Sequence, residues 1–406
     1  MKFMVSILLG LNLLVQGTVL PASSCFIPNV TIPLSPAAQT DTAPAADLNI
    51  SAPSAILMEA FTGAVVYEKN PHEARHPASV TKIMTLLLIF DALSSKQISL
   101  DDTVTVSEYA ASMGGSQVFL EPGETQTVET MIKCISVASA NDACVAMAEH
   151  VAGSESEFVR MMNERAKGLG MNDTNFVNCC GLDADGHMTS ANDIALMSRE
   201  LITKYPKIHD YCTIWMENIT HTTAKGSSEF GLTNTNKLIK HYQYATGLKT
   251  GFTNTAMYCI SATAKKDDME LIAVIMKAPT STQRFEDATN LLNYGFSTYT
   301  LENVVPESAL PPVPVSLGTQ ATVQPVLGEN THLLLEKAKA GSLQQLVTLA
   351  DSVEAPVAAG SQLGTLTITS GEEVVAELPI LAGEEIPRVT FGQMLVQMLR
   401  TAFLCG

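Results

Sequence analysis

The spacing of hydrophobic and polar positions predicts a hairpin, a buried helix and a helical region in the first half of the chain. Two short apolar runs, SAILMEA (54–60) and GAVVYEKN (63–70), are separated by a turn, which predicts a β-hairpin. From Pro77 to about Ser95 the chain is apolar on every side, which predicts a central, buried helix. Residues 125–170 have mostly helical periodicity.

A second group of strands is predicted between residues 246 and 278. GLKTGFT, AMYCISATAK and ELIAVIMKA are separated by short polar segments, which indicates an antiparallel meander, and the helix TQRFEDATNLLNYGF follows it. Strands therefore lie at both ends of this domain, with helices between them. We expect an α+β fold in which one antiparallel sheet carries helices on both faces.

The composition changes after about residue 300, where LPPVPV (310–315) marks a boundary. Short alternating runs with Gly and polar turns follow, and they predict a small all-β domain over 300–388. The last segment, 389–406, returns to helical spacing with one apolar face. This pattern predicts an amphipathic helix that anchors the protein at a membrane surface, with packing on the β domain as the alternative, although Arg400 is its only cation.

The N-terminal residues 1–24 have the features of an export signal: Lys2, a long apolar segment and small residues before Cys25. An uncleaved anchor helix and lipidation at Cys25 are the alternatives. Residues 25–47, rich in Pro, Ala, Thr and Asp, predict a linker, which leaves 48–299 as the main domain. We therefore expect an exported protein.

The overall charge and the cysteine pattern exclude several classes of function. The formal net charge of -17 argues against nucleic-acid binding, which needs clustered Lys and Arg. The eight cysteines do not have the spacing of a disulfide framework, and no pair has CxxC spacing. His72 and His76 lack an evident third ligand, so we expect no metal site and no cofactor.

Candidate chemistry begins at HPASVTKIMT (76–85), which contains Ser79 and Lys82. A serine hydroxyl is a weak nucleophile until a base takes its proton. Positions i and i+3 share one face of a helix, so Lys82 can reach the Ser79 hydroxyl. Burial disfavours a charged lysine and so favours its action as a base.

Two further motifs follow in order: Ser139-Ala140-Asn141, and Lys249-Thr250-Gly251 at the start of the meander. S-x-x-K, S-x-N and K-T-G together are the signature of penicillin-binding proteins and serine β-lactamases. The chain resembles the D-alanyl-D-alanine carboxypeptidases, the low-molecular-mass penicillin-binding proteins of bacterial cell walls. PASVTKIMT, FVNCCGLDADGHMTSANDIALMSREL and GLKTGFTNTAMYCISATAKKDDMELIAVIMKAP also match that family. The resemblance is strong over 48–300 and weaker over 300–406.

The resemblance implies catalytic roles for three side chains. Ser79 attacks the carbonyl between the two terminal D-alanines of a stem peptide, and Lys82 accepts its proton. Ser139 relays a proton to the leaving amine. The acyl-enzyme is then hydrolysed by water, and β-lactam antibiotics act as covalent inhibitors of the same serine.

The resemblance also implies a set of substrate-binding residues. Asn141 holds the substrate backbone, and Lys249 completes the polar network around Ser139. Thr250 and Gly251 belong to the strand that binds the terminal carboxylate, and the backbone N–H of Phe252 pairs with that of Ser79 in the oxyanion hole. Arg284 is placed as a carboxylate-binding arginine, with an exposed helix charge as the alternative.

The sequence departs from the family pattern at a few positions. Phe252 stands where some relatives have histidine, Cys179-Cys180 replaces a Pro-Thr or Pro-Ser pair, and Asn192 stands where arginine is common. The same site suits a DD-endopeptidase that cuts cross-links, or a penicillin-binding scaffold without turnover. A β-lactamase is disfavoured because no glutamate is positioned to activate a deacylating water.

Overall fold

The computed structural model describes residues 48–328 and 331–404, and all of these belong to one compact unit. The predicted signal and linker segments, 1–24 and 25–47, lie outside the described residues. The helices are α1 Lys82–Ser94, α2 Glu108–Ala111, α3 Val128–Ser136, α4 Asn141–Ala152, α5 Glu155–Gly168, α6 Ala191–Lys204, α7 Ile208–Cys212, α8 Leu238–His241, α9 Ser281–Thr298, α10 Lys337–Ala340 and α11 Phe391–Leu404.

The strands complete the element order. They are β1 Ser54–Glu59, β2 Val65–Lys69, β3 Thr103–Thr105, β4 Thr125–Thr127, β5 Met216–Thr223, β6 Gly226–Thr233, β7 Ala245–Thr253, β8 Met257–Lys266, β9 Met269–Ala278, β10 Tyr299–Asn303, β11 Val313–Ser316, β12 Thr322–Val323, β13 Pro325–Leu327, β14 His332–Glu336, β15 Leu343–Leu349, β16 Val353–Glu354, β17 Gln362–Ser370 and β18 Glu373–Ala382. A short 3-10 helix over Ala78–Thr81 leads directly into α1.

The central sheet has five antiparallel strands in the order β2-β1-β9-β8-β7. The first hairpin and the later meander therefore join in one sheet, as the sequence predicted. Ile56 of β1 lies opposite Val274 of β9 and belongs to the larger hydrophobic core. Leu57, the next residue, lies opposite Ala273 and belongs to the core on the other face. Both faces are thus buried, which fits the nearly continuous apolar runs of these strands.

Helices cover the two faces of this sheet. Ile194 and Met197 of α6 are buried in the larger core, which also contains α1, α3 and α4. Leu291 and Leu292 of α9 are buried in the core on the opposite face. The fold class predicted from the sequence is confirmed: α+β, with helices on both faces of an antiparallel sheet.

Helix α1 runs through the larger core, as its uniformly apolar sequence predicted. Every residue from Lys82 to Phe90 is buried. The helical region predicted over 125–170 is interrupted between α3 and α4, where Ser139 has a left-handed φ of 63°. The hairpin of β5 and β6 did not emerge from the sequence pattern, because its residues are mostly polar and exposed.

The all-β part predicted after residue 300 is present. It contains a four-stranded sheet in the order β13-β18-β17-β15 and a three-stranded sheet in the order β12-β11-β16. Two small cores are buried here. Leu366 and Ile380 of the four-stranded sheet belong to the first, and the second joins Val313 of the three-stranded sheet to Leu363 and Ala382 of the four-stranded sheet. Strand β10 pairs with β14 as a separate two-stranded sheet.

Helix α11 ends the described chain, and its start is stabilised by a capping box. The N–H of Gln393 donates to Thr390 Oγ1 at 3.4 Å, and the N–H of Thr390 donates to Gln393 Oε1 at 2.9 Å. Phe391 is 83% exposed and Met398 is 66% exposed. Among the helices of the described ranges, none is both long and apolar enough to cross a membrane.

Candidate active site

Lys82 is the residue on which the polar groups of the pocket converge. Its Nζ donates to Ser79 Oγ at 3.0 Å, to Asn141 Oδ1 at 2.7 Å and to the carbonyl of Cys180 at 2.6 Å. The side chain is fully buried, whereas Ser79 is only half-buried and so can be reached from outside. Three acceptors satisfy the three donors of an ammonium group, which allows a lysine to occupy this core.

The turn that carries Ser79 is tightly enclosed by two glycines. Ala78 has a left-handed φ of 49°, which is unusual for a residue with a side chain. A Cβ on Gly251 would lie 3.0 Å from the backbone nitrogen of Ser79, and one on Gly181 would lie 1.9 Å from the carbonyl oxygen of Ala78. The K-T-G strand and the loop before α6 therefore approach the nucleophile turn from two sides, and each needs glycine at the contact.

Asn141 forms the second wall of the pocket at the first position of α4. Besides accepting from Lys82, it donates from Nδ2 to the carbonyl of Gly114 at 2.7 Å, and its N–H donates to Ser116 O at 2.7 Å. The carboxylate of Asp142 accepts further N–H groups from the same loop, at Val118 and Leu120. The loop over 114–120 thus fixes the orientation of the Asn141 amide.

Ser139 lies in the interruption between α3 and α4, and its left-handed backbone directs it out of the helical path. Its hydroxyl is buried and has no hydrogen-bond partner among the residues that the structure describes. The contact that the sequence predicted between Ser139 and Lys249 is not among the hydrogen bonds of the described residues, where Lys249 Nζ donates to Thr250 O at 3.3 Å. A buried hydroxyl without a partner costs free energy and is a common feature of functional sites.

The K-T-G strand, the end of β7, supplies the third wall. Burial, and then the charge of Lys82, lower the pKa of Lys249 to about 7. Thr250 is buried and donates from Oγ1 to Thr235 Oγ1 at 2.7 Å. A second cation that readily loses its proton therefore lies beside the pocket at neutral pH.

Phe252 and Arg284 both lie at the end of this strand, and each contacts the ring of Tyr258. Phe252 is 50% exposed, and its ring centroid lies 4.5 Å from that of Tyr258. Arg284 is 6% exposed, and its Nη1 donates to Gly251 O at 3.2 Å and to Cys259 O at 3.3 Å. The alternative of an exposed helix charge is therefore wrong, because Arg284 lies on the face of α9 that packs against the sheet.

Burial lowers the pKa of Arg284 to about 10, so the guanidinium stays charged at neutral pH. Its hydrogen bond to the Gly251 carbonyl fixes the backbone of the K-T-G strand and places a positive charge next to Gly251.

Sequence reasoning did not identify the contribution of the loop before α6. Its Cys179-Cys180 pair was noted only as a departure, yet the Cys180 carbonyl holds Lys82 and the Cys179 carbonyl accepts from Thr85 Oγ1 at 2.6 Å. Both contacts use backbone oxygens, which have no residue-specific signal. The Gly-His dipeptide in GLDADGH could have pointed to this loop, because His187 is buried and its Nε2 lies 2.8 Å from Thr81 Oγ1.

Comparison with known proteins gives concordant results over both parts of the chain. Residues 38–280 match the family model described as D-alanyl-D-alanine carboxypeptidase, and residues 301–388 match that of the penicillin-binding protein 5 C-terminal domain. The chain is 42% identical to the carboxypeptidase DacF of Bacillus subtilis, over 85% of this chain and 88% of the relative. It is 33% identical to DacC of Escherichia coli, with the same two coverages.

A solved structure has the same fold over most of the chain. Penicillin-binding protein 5 of Haemophilus influenzae superposes with a TM-score of 0.73 at 27% identity, and the match covers 84% of this chain and 98% of that one.

The buried imidazole of His187 predicts a specific pH dependence of stability. Burial, and then the charge of His76, lower its pKa from 6.5 to about 4, against an opposing effect of Asp183. Between pH 6.5 and pH 4, the imidazole of residue 187 is protonated in the unfolded chain and neutral in the folded chain. The free energy of unfolding therefore has its full value above pH 6.5 and decreases as the pH falls from 6.5 through 4. The total decrease due to His187 is roughly 3 kcal/mol at most.

The measurement is the free energy of unfolding in urea at several pH values between 7.5 and 4. His187→Gln removes the titrating group and should flatten the loss of stability in this window. His241→Gln, which replaces an exposed imidazole, is the control. An equal loss of stability in the wild type and in His187→Gln would contradict the assignment.

Proposed function

The chain belongs to the D-alanyl-D-alanine carboxypeptidase family of serine peptidases, and we propose that it removes the terminal D-alanine from peptidoglycan stem pentapeptides through an acyl-enzyme on Ser79. The observation that carries this proposal is the 3.0 Å contact between Lys82 Nζ and the hydroxyl of Ser79. A serine and its base within hydrogen-bond distance, in a position accessible to substrate, have the geometry that acyl transfer needs.

Acylation requires Lys82 as a neutral amine that can accept the proton of Ser79. Two of its N–H groups donate to Asn141 Oδ1 and Cys180 O, at 2.7 and 2.6 Å, which leaves the lone pair directed towards Ser79. Ser79 Oγ attacks the carbonyl of the penultimate D-alanine while its proton passes to Lys82. The N–H groups of Ser79 and Phe252 stabilise the oxyanion, supported by the close approach of Gly251 to the Ser79 nitrogen.

The leaving amine takes its proton from Ser139. The hydroxyl of Ser139 is buried and unpartnered among the described residues, so it can form this hydrogen bond without breaking another. Lys249, whose pKa is about 7, replaces the proton that Ser139 gives up. The proton that Lys82 accepted passes to the Lys249 amine, which returns Lys82 to its neutral form, and free D-alanine departs. Lys82 then takes a proton from the hydrolytic water and returns it to Ser79 Oγ as the acyl bond breaks.

The terminal carboxylate of the substrate binds along the K-T-G strand. Thr250 Oγ1 donates to it after leaving Thr235, and Asn141 holds the substrate backbone on the opposite wall. Arg284 attracts the carboxylate through its charge, because its Nη1 is engaged with the backbone of Gly251. The same contacts accept the carboxylate of a β-lactam, which acylates Ser79 and blocks it.

We place the catalytic domain at residues 48–299 and the β domain at 300–388. Export through residues 1–24 brings the enzyme to the outer face of the cytoplasmic membrane, where peptidoglycan lies. The apolar segment after Lys2 supports this location.

Substitution of the nucleophile gives the direct test of the proposed reaction. Ser79→Ala should abolish D-alanine release from a muropeptide pentapeptide and covalent labelling by penicillin, because no hydroxyl remains to be acylated. Ser139→Ala keeps the nucleophile, so it should still be labelled, while its turnover falls about 10²-fold or more. Labelling of Ser79→Ala would remove Ser79 from the nucleophile role.

A cross-linked muropeptide dimer, incubated in parallel, separates the two peptidase activities. D-alanine release from the pentapeptide without conversion of dimer to monomer supports the carboxypeptidase. Faster cleavage of the dimer would assign the site to a DD-endopeptidase instead.

Helix α11 serves as a peripheral membrane anchor in this proposal. Phe391, Leu395, Val396 and Met398 are all exposed, and such an apolar surface on a helix suits the boundary between lipid head groups and acyl chains.

Deletion of residues 389–406 should release the protein from phospholipid vesicles in a co-sedimentation assay. Leu395→Asp in the full chain should weaken binding in the same direction, since it places a charge on the apolar surface. The catalytic rate of both variants on a soluble peptide should match the wild type, which controls for folding. Continued binding of the truncated form would exclude the anchor.

A further inference from the structure

A chain of three hydrogen bonds links the loop before α6 to the peptide bond that precedes Ser79. The N–H of Val177 donates to His187 Nδ1 at 2.9 Å. Since Nδ1 accepts, a neutral imidazole carries its proton on Nε2, which donates to Thr81 Oγ1 at 2.8 Å. The hydroxyl of Thr81 in turn donates to Ala78 O at 2.9 Å. His187, Thr81 and Ala78 are all buried, so water does not compete for these bonds.

The last acceptor of this chain belongs to the same peptide unit as the proposed oxyanion donor. A trans peptide is planar, and its C=O and N–H point in opposite directions. Fixing the carbonyl of Ala78 therefore fixes the direction of the Ser79 N–H. The Ser79 nitrogen lies beside the K-T-G strand, since a Cβ on Gly251 would be 3.0 Å from it. A hydrogen bond to the carbonyl also polarises the peptide and strengthens its N–H as a donor.

We propose that His187 and Thr81 are positioning residues that aim and polarise the Ser79 N–H at the oxyanion of the tetrahedral intermediate. The inference rests on the proposed function, because it takes the Ser79 N–H as an oxyanion-hole donor. Ala78 has a left-handed φ of 49°, so this peptide needs support from its surroundings to keep its orientation. Gly181, with no Cβ, lets the loop close over the Ala78 carbonyl.

The protonation state of His187 suits this role. Its pKa of about 4, lowered by burial and by the charge of His76, keeps the imidazole neutral at the pH of the reaction. A neutral ring can accept from Val177 and donate to Thr81 at the same time, whereas the imidazolium would repel the Val177 N–H. The three hydrogen bonds from Val177 through His187 and Thr81 to Ala78 form a relay, and donation along this relay runs in one direction, from Val177 to Ala78.

Thr81→Val tests the relay, because valine keeps the shape of threonine and lacks the hydroxyl. The readouts are kcat and KM for D-alanine release from a synthetic peptide ending in D-alanyl-D-alanine, and the second-order rate constant of acylation by benzylpenicillin. We expect kcat and the acylation rate to fall about 10-fold or more with little change in KM, since loss of a whole oxyanion donor costs about 10²–10³ in kcat. Thr81→Ser, which restores the hydroxyl, should recover most of the rate.

Thr85→Val is the matched control. Thr85 is equally buried one turn further along α1 and donates to the same loop, at Cys179 O, without touching the Ala78–Ser79 peptide. It should lower the melting temperature to a similar extent and leave kcat close to the wild-type value. Equal losses of kcat in Thr81→Val and Thr85→Val would mean that the lower rate comes from disturbed packing and not from the lost hydrogen bonds of Thr81. This result would overturn the inference.

His187→Gln and His187→Asn decide the question if Thr81→Val does not fold. A glutamine amide can reach the place of Nε2 and donate to Thr81, whereas the shorter asparagine amide reaches only the place of Nδ1. The relay predicts that glutamine retains more of kcat than asparagine does. Equal rates for the two variants overturn the inference while the wild type still releases D-alanine, and absence of release by the wild type would instead refute the proposed function.

Discussion

The arrangement of the active site depends on the three hydrogen bonds of Lys82. They join segments that are far apart in the sequence: the nucleophile turn at Ser79, the start of α4 at Asn141 and the loop that contains Cys180. An ammonium group in an apolar helix would be strongly destabilising without such partners. The same partners that make its burial tolerable also direct the nitrogen at the serine, so the stability of the helix and the activation of the nucleophile have a common origin.

The remaining walls of the pocket are held by backbone contacts with buried polar groups. Arg284 of α9 donates to the carbonyl of Gly251, and the loop over 114–120 fixes the amide of Asn141. Lys249, with a pKa of about 7, lies within the electrostatic influence of Lys82. Two neighbouring lysines in a buried site disfavour a second positive charge, and this favours the presence of one neutral amine near the substrate.

The sequence predicted the chemistry better than the local geometry. Ser79, Lys82 and Lys249 were singled out by short motifs and their order along the chain, because motifs depend on residue identity. The sequence could not reveal the role of the Cys180 carbonyl, since every residue has one. It predicted a mostly helical region over 125–170 without locating the left-handed turn at Ser139, and it left the burial of Arg284 open. Those features arise from tertiary contacts that outweigh local propensity.

The acylation rate of Lys82→Arg tests most directly whether Lys82 acts as the base. Arginine keeps a positive charge and hydrogen-bond donors at this position, but it does not lose its proton in proteins. The quantity to measure is the second-order rate constant for acylation of Ser79 by benzylpenicillin, at neutral pH. Proton transfer to Lys82 predicts a fall of about 10²–10⁴ relative to the wild type. A rate within about threefold of the wild type would mean that Lys82 only organises the pocket and that another group takes the proton.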